Sequence, residues 1–185
     1  MTLSGGEVLM QAAFAANILQ RCWDKLTHTA IETCAFGRWE DFRAILSYTN
    51  LAFIDIKHSD PVTHKKLTGR SNRQILDNIR KAAAYCLELK RHLILRLAVV
   101  PGMNDSPENL RGVADFLKGL PGGWELNLLP YHKYGVSKYD WLGMEYKLVD
   151  VEPPSREQLL EIVRYFESFG ILCSLGGAEI RSVVA

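Results

Sequence analysis

The 185-residue sequence predicts an α/β fold assembled from parallel βαβ units. Three observations carry this prediction. Short apolar, β-prone runs recur at 29–34, 51–57, 92–100, 124–129 and 171–174. Between successive runs lie stretches with helical spacing of about ten or more residues, the length a parallel crossover needs. Glycine and proline punctuate the junctions, as at Pro101-Gly102 and Gly122-Gly123. Right-handed crossovers lead either to an open doubly wound sheet or to a barrel, and the pattern alone leaves both open.

Each element has its own reason. Thr2 and Leu3 form a β-prone stub before Ser4-Gly5-Gly6-Glu7, a turn where adjacent glycines let backbone approach a ligand because no Cβ intervenes. Leu9, Ala12, Ala16, Leu19 and Trp23 recur at helical spacing, so 8–25 is expected to be a helix of about five turns. Trp39, Phe42, Ile45 and Leu46 give 38–47 a buried stripe. The stretch 60–68 is expected to be a loop with a short helical turn, and Ser71 to cap a longer helix carrying Ile75, Ile79, Ala82, Ala83 and Cys86. Asn104-Asp105-Ser106-Pro107 starts a helix with proline just inside the cap, and Leu110, Val113, Phe116 and Leu117 form its apolar face. The polar, aromatic stretch 133–154 lacks a period and is expected to be a long loop. Ser155 caps a last helix reaching about 169, followed by the final strand and a Gly-Gly tail.

Composition narrows the function. Lys and Arg number 22 against 21 Asp and Glu, so no basic field argues for nucleic acid or an anionic membrane. No apolar run approaches the roughly 18 residues of a membrane span, and no leader pattern is present, so a cytoplasmic protein is expected. With 48% hydrophobic residues and no linker or repeat, residues 1–185 are expected to form a single domain. Cys22, Cys34, Cys86 and Cys173 are too dispersed for a zinc or iron-sulfur ligand set or a secreted disulfide framework, so reduced thiols are expected.

The chemistry sits at strand ends. Glu7 follows the first stub, Glu32-Thr33 ends the second strand, Asp55 and Lys57 end the third, Arg96 interrupts the fourth, and His132 follows the fifth. Carboxyl ends of parallel strands converge on one face, where barrels and open α/β sheets place their sites. Asp55 and Lys57 would also serve as a strand-end ion pair, and Arg96 would also neutralise Glu32 or Asp55. Ionisable groups at successive strand ends favour a shared polar ligand over unrelated salt bridges. A Schiff-base role for Lys57 is disfavoured because lysine beside aspartate is a charge partner, and Cys34 is expected to be a buried thiol. His28, His58 and His92 lack metal-ligand spacing and are expected to be solvated or capping.

The motifs Ser4-Gly5-Gly6-Glu7, Ile31-Glu32-Thr33-Cys34, Asp55-Ile56-Lys57, His64 with Thr68-Gly69 and Asn72, Arg96 with Val100-Pro101-Gly102 and Asn104-Asp105, and Leu129-Pro130-Tyr131-His132 together resemble those of the glycyl-radical-enzyme activating enzymes. These are radical S-adenosylmethionine proteins of the pyruvate formate-lyase activating type. The resemblance covers residues 2 to 132 in order. It implies that Gly5, Gly6 and Glu7 hold the amino group of S-adenosylmethionine, and that Glu32, Thr33, Asp55 and Lys57 lie near its methionyl and ribose parts or a neighbouring cation. It places His132 beside the cofactor and makes Arg96 a further candidate, but it assigns no catalytic side chain.

The resemblance also implies a partial (β/α)6 TIM-like barrel, a [4Fe–4S] cluster on a Cys-x-x-x-Cys-x-x-Cys loop, a glycyl radical enzyme such as pyruvate formate-lyase as protein substrate, and flavodoxin or ferredoxin as electron donor. Six residues precede Glu7 and no cysteines have that spacing. The expectation is therefore a chain truncated at its N-terminus, lacking the first βα unit, unable to bind the cluster and inactive alone. A cluster-free S-adenosylmethionine-binding or interaction protein is the alternative. A barrel edge exposed in this way is expected to drive self-association.

Overall fold

The computed structural model describes residues 1–176. Six strands, β1 (Thr2–Leu3), β2 (Ala30–Thr33), β3 (Leu51–Asp55), β4 (His92–Val99), β5 (Trp124–Pro130) and β6 (Cys173–Leu175), lie side by side in chain order. Every neighbouring pair is parallel. A doubly wound sheet reverses its strand order at a switch point, and this sheet does not. The α/β expectation therefore holds, and the topology is consistent with an open, partial barrel.

Burial separates the two faces of the sheet. Ile31, Ala52, Ile54, Leu93, Leu95, Leu97, Leu126 and Leu128 are buried, whereas the alternate residues Glu32, Phe53, Asp55, Ile94, Arg96 and Asn127 are only half-buried. The covering layer comes from α1 (Ala12–Asp24), α2 (Trp39–Leu46), α4 (Arg73–Glu88), α5 (Pro107–Lys118) and α7 (Arg156–Glu167), whose buried stripes include Leu19, Phe42, Ile79, Leu117 and Phe166. Burying each such side chain contributes roughly 1.5–3 kcal/mol. Among the described residues the other face has no such layer, which leaves room for polar groups.

Local chemistry departs from the sequence reading in four places. The first helix opens with a 3₁₀ turn, Val8–Gln11, because the Glu7 carboxylate accepts the Leu9 N–H at 3.1 Å. The stretch 60–68 is a full helix, α3 (Pro61–Thr68), which its caps explain. Asp60 accepts the Thr63 N–H at 2.7 Å, Pro61 fills the first turn, and Gly69 closes the end at φ +80°. The N-cap of α4 is Asn72 rather than Ser71, whose hydroxyl only reaches the Arg73 N–H at 3.4 Å. The expected long loop contains a 3₁₀ turn, Lys133–Gly135, and a short helix, α6 (Val136–Trp141). Its remainder is tied back by the Tyr131 hydroxyl, 2.7 Å from that of Tyr146 and 3.1 Å from the Leu148 carbonyl.

Ser155 forms the full capping box with Gln158 at the start of α7. The Gly-Gly tail runs past residue 176, outside the described residues. No helix among the described residues is long and apolar enough to cross a membrane.

Candidate functional site

Strand register assembles the site. Asp55, the last residue of β3, stands opposite Arg96 of β4, and both side chains belong to the uncovered face. The Arg96 Nε donates to Asp55 Oδ1 at 2.9 Å and its Nη1 lies 3.4 Å from Glu32 Oε1, so one guanidinium bridges the ends of two strands. Its Cζ sits 5.2 Å above the Phe53 ring. A guanidinium within an apolar strand would be costly alone, and these two carboxylates are what make it tolerable. Lys57 Nζ extends the network to Asp55 Oδ2 at 3.3 Å, and the Ser4 hydroxyl donates to Glu32 Oε2 at 3.0 Å.

The network has a fixed middle and open ends. The Arg96 side chain is 15% exposed, whereas those of Glu32 and Lys57 are 37% and 44% exposed. A carboxylate and an ammonium thus face solvent from one sheet end, held apart by a guanidinium that is already committed. Such an arrangement can receive a zwitterion, its ammonium toward Glu32 and its carboxylate toward Lys57.

Glu7 is engaged by donors of its own chain. Its carboxylate accepts from Thr33 Oγ1 at 2.5 Å, from the Cys34 N–H at 2.8 Å and from the Leu9 N–H at 3.1 Å. These three donors occupy most of its acceptor capacity, so the side chain pins the glycine turn to the end of β2. Thr33, buried, joins the same pin and accepts the Ala35 N–H at 2.9 Å. Gly5 and Gly6 adopt φ +86° and +61°, and a Cβ on either would meet nothing within 4 Å. They are required by conformation, and the turn surface stays open.

His132 follows β5 on the same sheet end but remains exposed. Its Nδ1 accepts the Tyr134 N–H at 3.4 Å and its ring lies 4.4 Å from that of Tyr134, so the structure places it outside the charged network. Ser4 and Phe53 join the network without having been singled out as site residues. Phe53 was legible in hindsight, because it alternates with Asp55 on one strand face.

The Cys34 thiol is pushed up to about 11, first by burial and then by the hydrogen bond and charge of Glu7, so it is protonated near neutrality. It lines a cavity of about 140 Å³ with Phe36, Asp55, Lys57, Arg70 and Ile75, directly beside the charged network. A larger cavity of about 420 Å³ lies among Leu51, His92, Trp124 and Glu125, at the opposite end of the strands, away from this chemistry. Cys22, Cys34, Cys86 and Cys173 are dispersed over α1, the end of β2, α4 and β6. Among the described residues no group of three His, Cys, Asp or Glu is placed to hold a metal ion.

No family model matches the chain. It is 38% identical over 184 residues to the (2S)-3-sulfopropanediol dehydratase activating enzyme of Klebsiella oxytoca, covering 97% of this chain and 57% of that protein. It is 36% identical over 167 residues to the pyruvate formate-lyase-activating enzyme of Clostridium pasteurianum, covering 90% and 68%. The chain thus spans little more than half the length of the first of these relatives. Among solved structures, a domain of the pyruvate-formate lyase-activating enzyme from Bacteroides vulgatus ATCC 8482 superposes with a TM-score of 0.77 at 29% identity, covering 96% of this chain and 98% of that one.

Proposed function

The chain belongs to the glycyl-radical-enzyme activating enzymes of the radical S-adenosylmethionine superfamily, and from that premise we propose that its Glu32–Arg96–Asp55–Lys57 network holds the amino-acid end of S-adenosylmethionine. One observation carries the reading: a carboxylate and an ammonium, both open to solvent, flank a guanidinium fixed between two strand-end carboxylates. Glu32 takes the ligand ammonium and Lys57 its carboxylate. Arg96 and Asp55 hold these two at their spacing. The open backbone of Gly5 and Gly6, pinned by Glu7 and Thr33, and the imidazole of His132 flank the rest of the ligand.

The family implies a [4Fe–4S] cluster as well as S-adenosylmethionine. The described residues do not fit a cluster, since their cysteines are dispersed and no three candidate ligands converge, and no step is derived through one. In the whole protein, S-adenosylmethionine would supply the group that takes a hydrogen atom from a backbone glycine. The protein substrate would be a glycyl radical enzyme, and flavodoxin or ferredoxin the electron source. What these residues contribute is binding and orientation of the zwitterionic end.

Calorimetric titration of S-adenosylmethionine into this chain tests the reading. Saturable binding is expected, weakened about tenfold by Lys57→Met through loss of one charge-assisted contact. Equal affinity of the two chains would contradict it. The outer edge of β1 pairs with no strand among the described residues, and this free edge supports self-association through strand pairing. Sedimentation is expected to show a dimer or larger species, and a monodisperse monomer would contradict that.

A further inference from the structure

Lys57 lies two residues past the end of β3, where the ladder no longer fixes its backbone. The last bond between β3 and β4 runs from the Ile56 N–H to the Arg96 carbonyl at 2.8 Å. In a continuing parallel ladder the amide of residue 58 would next donate to the Ala98 carbonyl. Asn104, from the turn after β4, takes that place. Its Nδ2 donates to the Ala98 carbonyl at 2.7 Å and to the Lys57 carbonyl at 3.0 Å, while its Oδ1 accepts the Val100 N–H at 2.8 Å. Asn104 is 4% exposed and both amide hydrogens are used.

Two more buried asparagines complete the grip on the same segment. Asn109 of α5 donates to the Asn104 carbonyl at 2.6 Å, and its Oδ1 accepts the Ser59 N–H and hydroxyl, each at 2.8 Å. Asn72 donates to the carbonyls of His58 at 2.7 Å and Ser59 at 3.1 Å. Ser59 comes so close to α5 that a Cβ on Gly112 would sit 2.4 Å from its hydroxyl oxygen. Side-chain amides from three elements thus replace a strand partner for residues 57–59. Only an amide serves at position 104, because bridging two carbonyls while accepting an N–H needs two donors and an acceptor on one planar group.

We infer that Asn104 is a positioning residue for Lys57: it ties the Lys57 backbone to the strand carrying Arg96 and so keeps the ammonium over Asp55 and within reach of a ligand carboxylate. The inference rests on the binding reading above for its ligand, and on the hydrogen bonds alone for its geometry. Asn104 acts through Lys57, so removing either loses the same contact.

A double-mutant cycle in the full chain tests it. Titration of S-adenosylmethionine is expected to weaken about tenfold for Lys57→Met, by a similar factor for Asn104→Ala, and by no more than that for the pair. Multiplying losses would overturn the inference, because a merely structural asparagine weakens binding whether or not Lys57 is present. Competitive acetylation read by mass spectrometry supplies a ligand-free measurement. Asn104→Ala is expected to raise labelling of Lys57 severalfold relative to Lys65 and Lys66, and an unchanged ratio would overturn the inference. If the unmodified chain does not bind S-adenosylmethionine, the binding reading falls and the acetylation ratio alone decides this one. Should Asn104→Ala not fold, Asn104→Ser, which keeps one donor, is judged by the same two measurements.

Discussion

Arg96→Leu is expected to lower the unfolding free energy by about 2 kcal/mol and to abolish calorimetrically detectable binding of S-adenosylmethionine. The side chain bridges Asp55 at 2.9 Å and Glu32 at 3.4 Å, and its loss leaves two carboxylates at adjacent strand ends with no cation between them. Breaking a fully buried ion pair costs about 3–5 kcal/mol, and the partial exposure of both carboxylates reduces that figure. Arg96→Lys is expected to recover less than half of the binding, because a point ammonium cannot hold two carboxylates in the geometry of a planar fork. Denaturant unfolding and titration of the two variants check both statements. A leucine variant that unfolds like the parent and still binds would contradict the bridging role.

The second large effect concerns the sheet that carries the site. Leu95 and Ile94 are neighbours on β4 but belong to opposite faces, Leu95 wholly buried under the helices and Ile94 half-buried on the uncovered side. Leu95→Ala is expected to destabilise by about 3 kcal/mol, within the range for a fully enclosed leucine, and Ile94→Ala by about 1 kcal/mol. The contrast, measured by denaturant unfolding, tests whether one face is free. Equal losses would mean that the second face is covered in solution.

How far residues announce their structure depends on how local the cause is. The charged strand ends were legible because alternation within a strand is a property of consecutive residues: Phe53 and Asp55 fall on one face as soon as β3 is recognised, whereas Arg96 joins them only through the register of β3 against β4. The helix α3 was less legible, since only His64 of its eight residues is buried and its ends are set by Asp60, Pro61 and Gly69. Periodicity had nothing to register there, although the caps were present in the sequence. The role of Glu7 was not legible at all. Its partners Thr33 and Cys34 lie more than two dozen positions away and meet it only when β1 pairs with β2. The resemblance singled out this turn, and its acid accepts hydrogen bonds that hold the turn in place. The asparagine grip on Lys57 is of the same kind, since Asn72, Asn104 and Asn109 come from separate elements and converge only in the folded chain.

The central claim is that the site grasps the amino-acid end of its ligand, and the most direct measurement compares two ligands that differ only there. S-Adenosylmethionine and 5′-methylthioadenosine share the nucleoside and the sulfur, but the second lacks the ammonium and carboxylate. Titrated into the same chain by calorimetry, S-adenosylmethionine is expected to bind at least about tenfold more tightly, the difference made by two charge-assisted contacts. Equal affinity for the two ligands, or tighter binding of 5′-methylthioadenosine, would contradict the account.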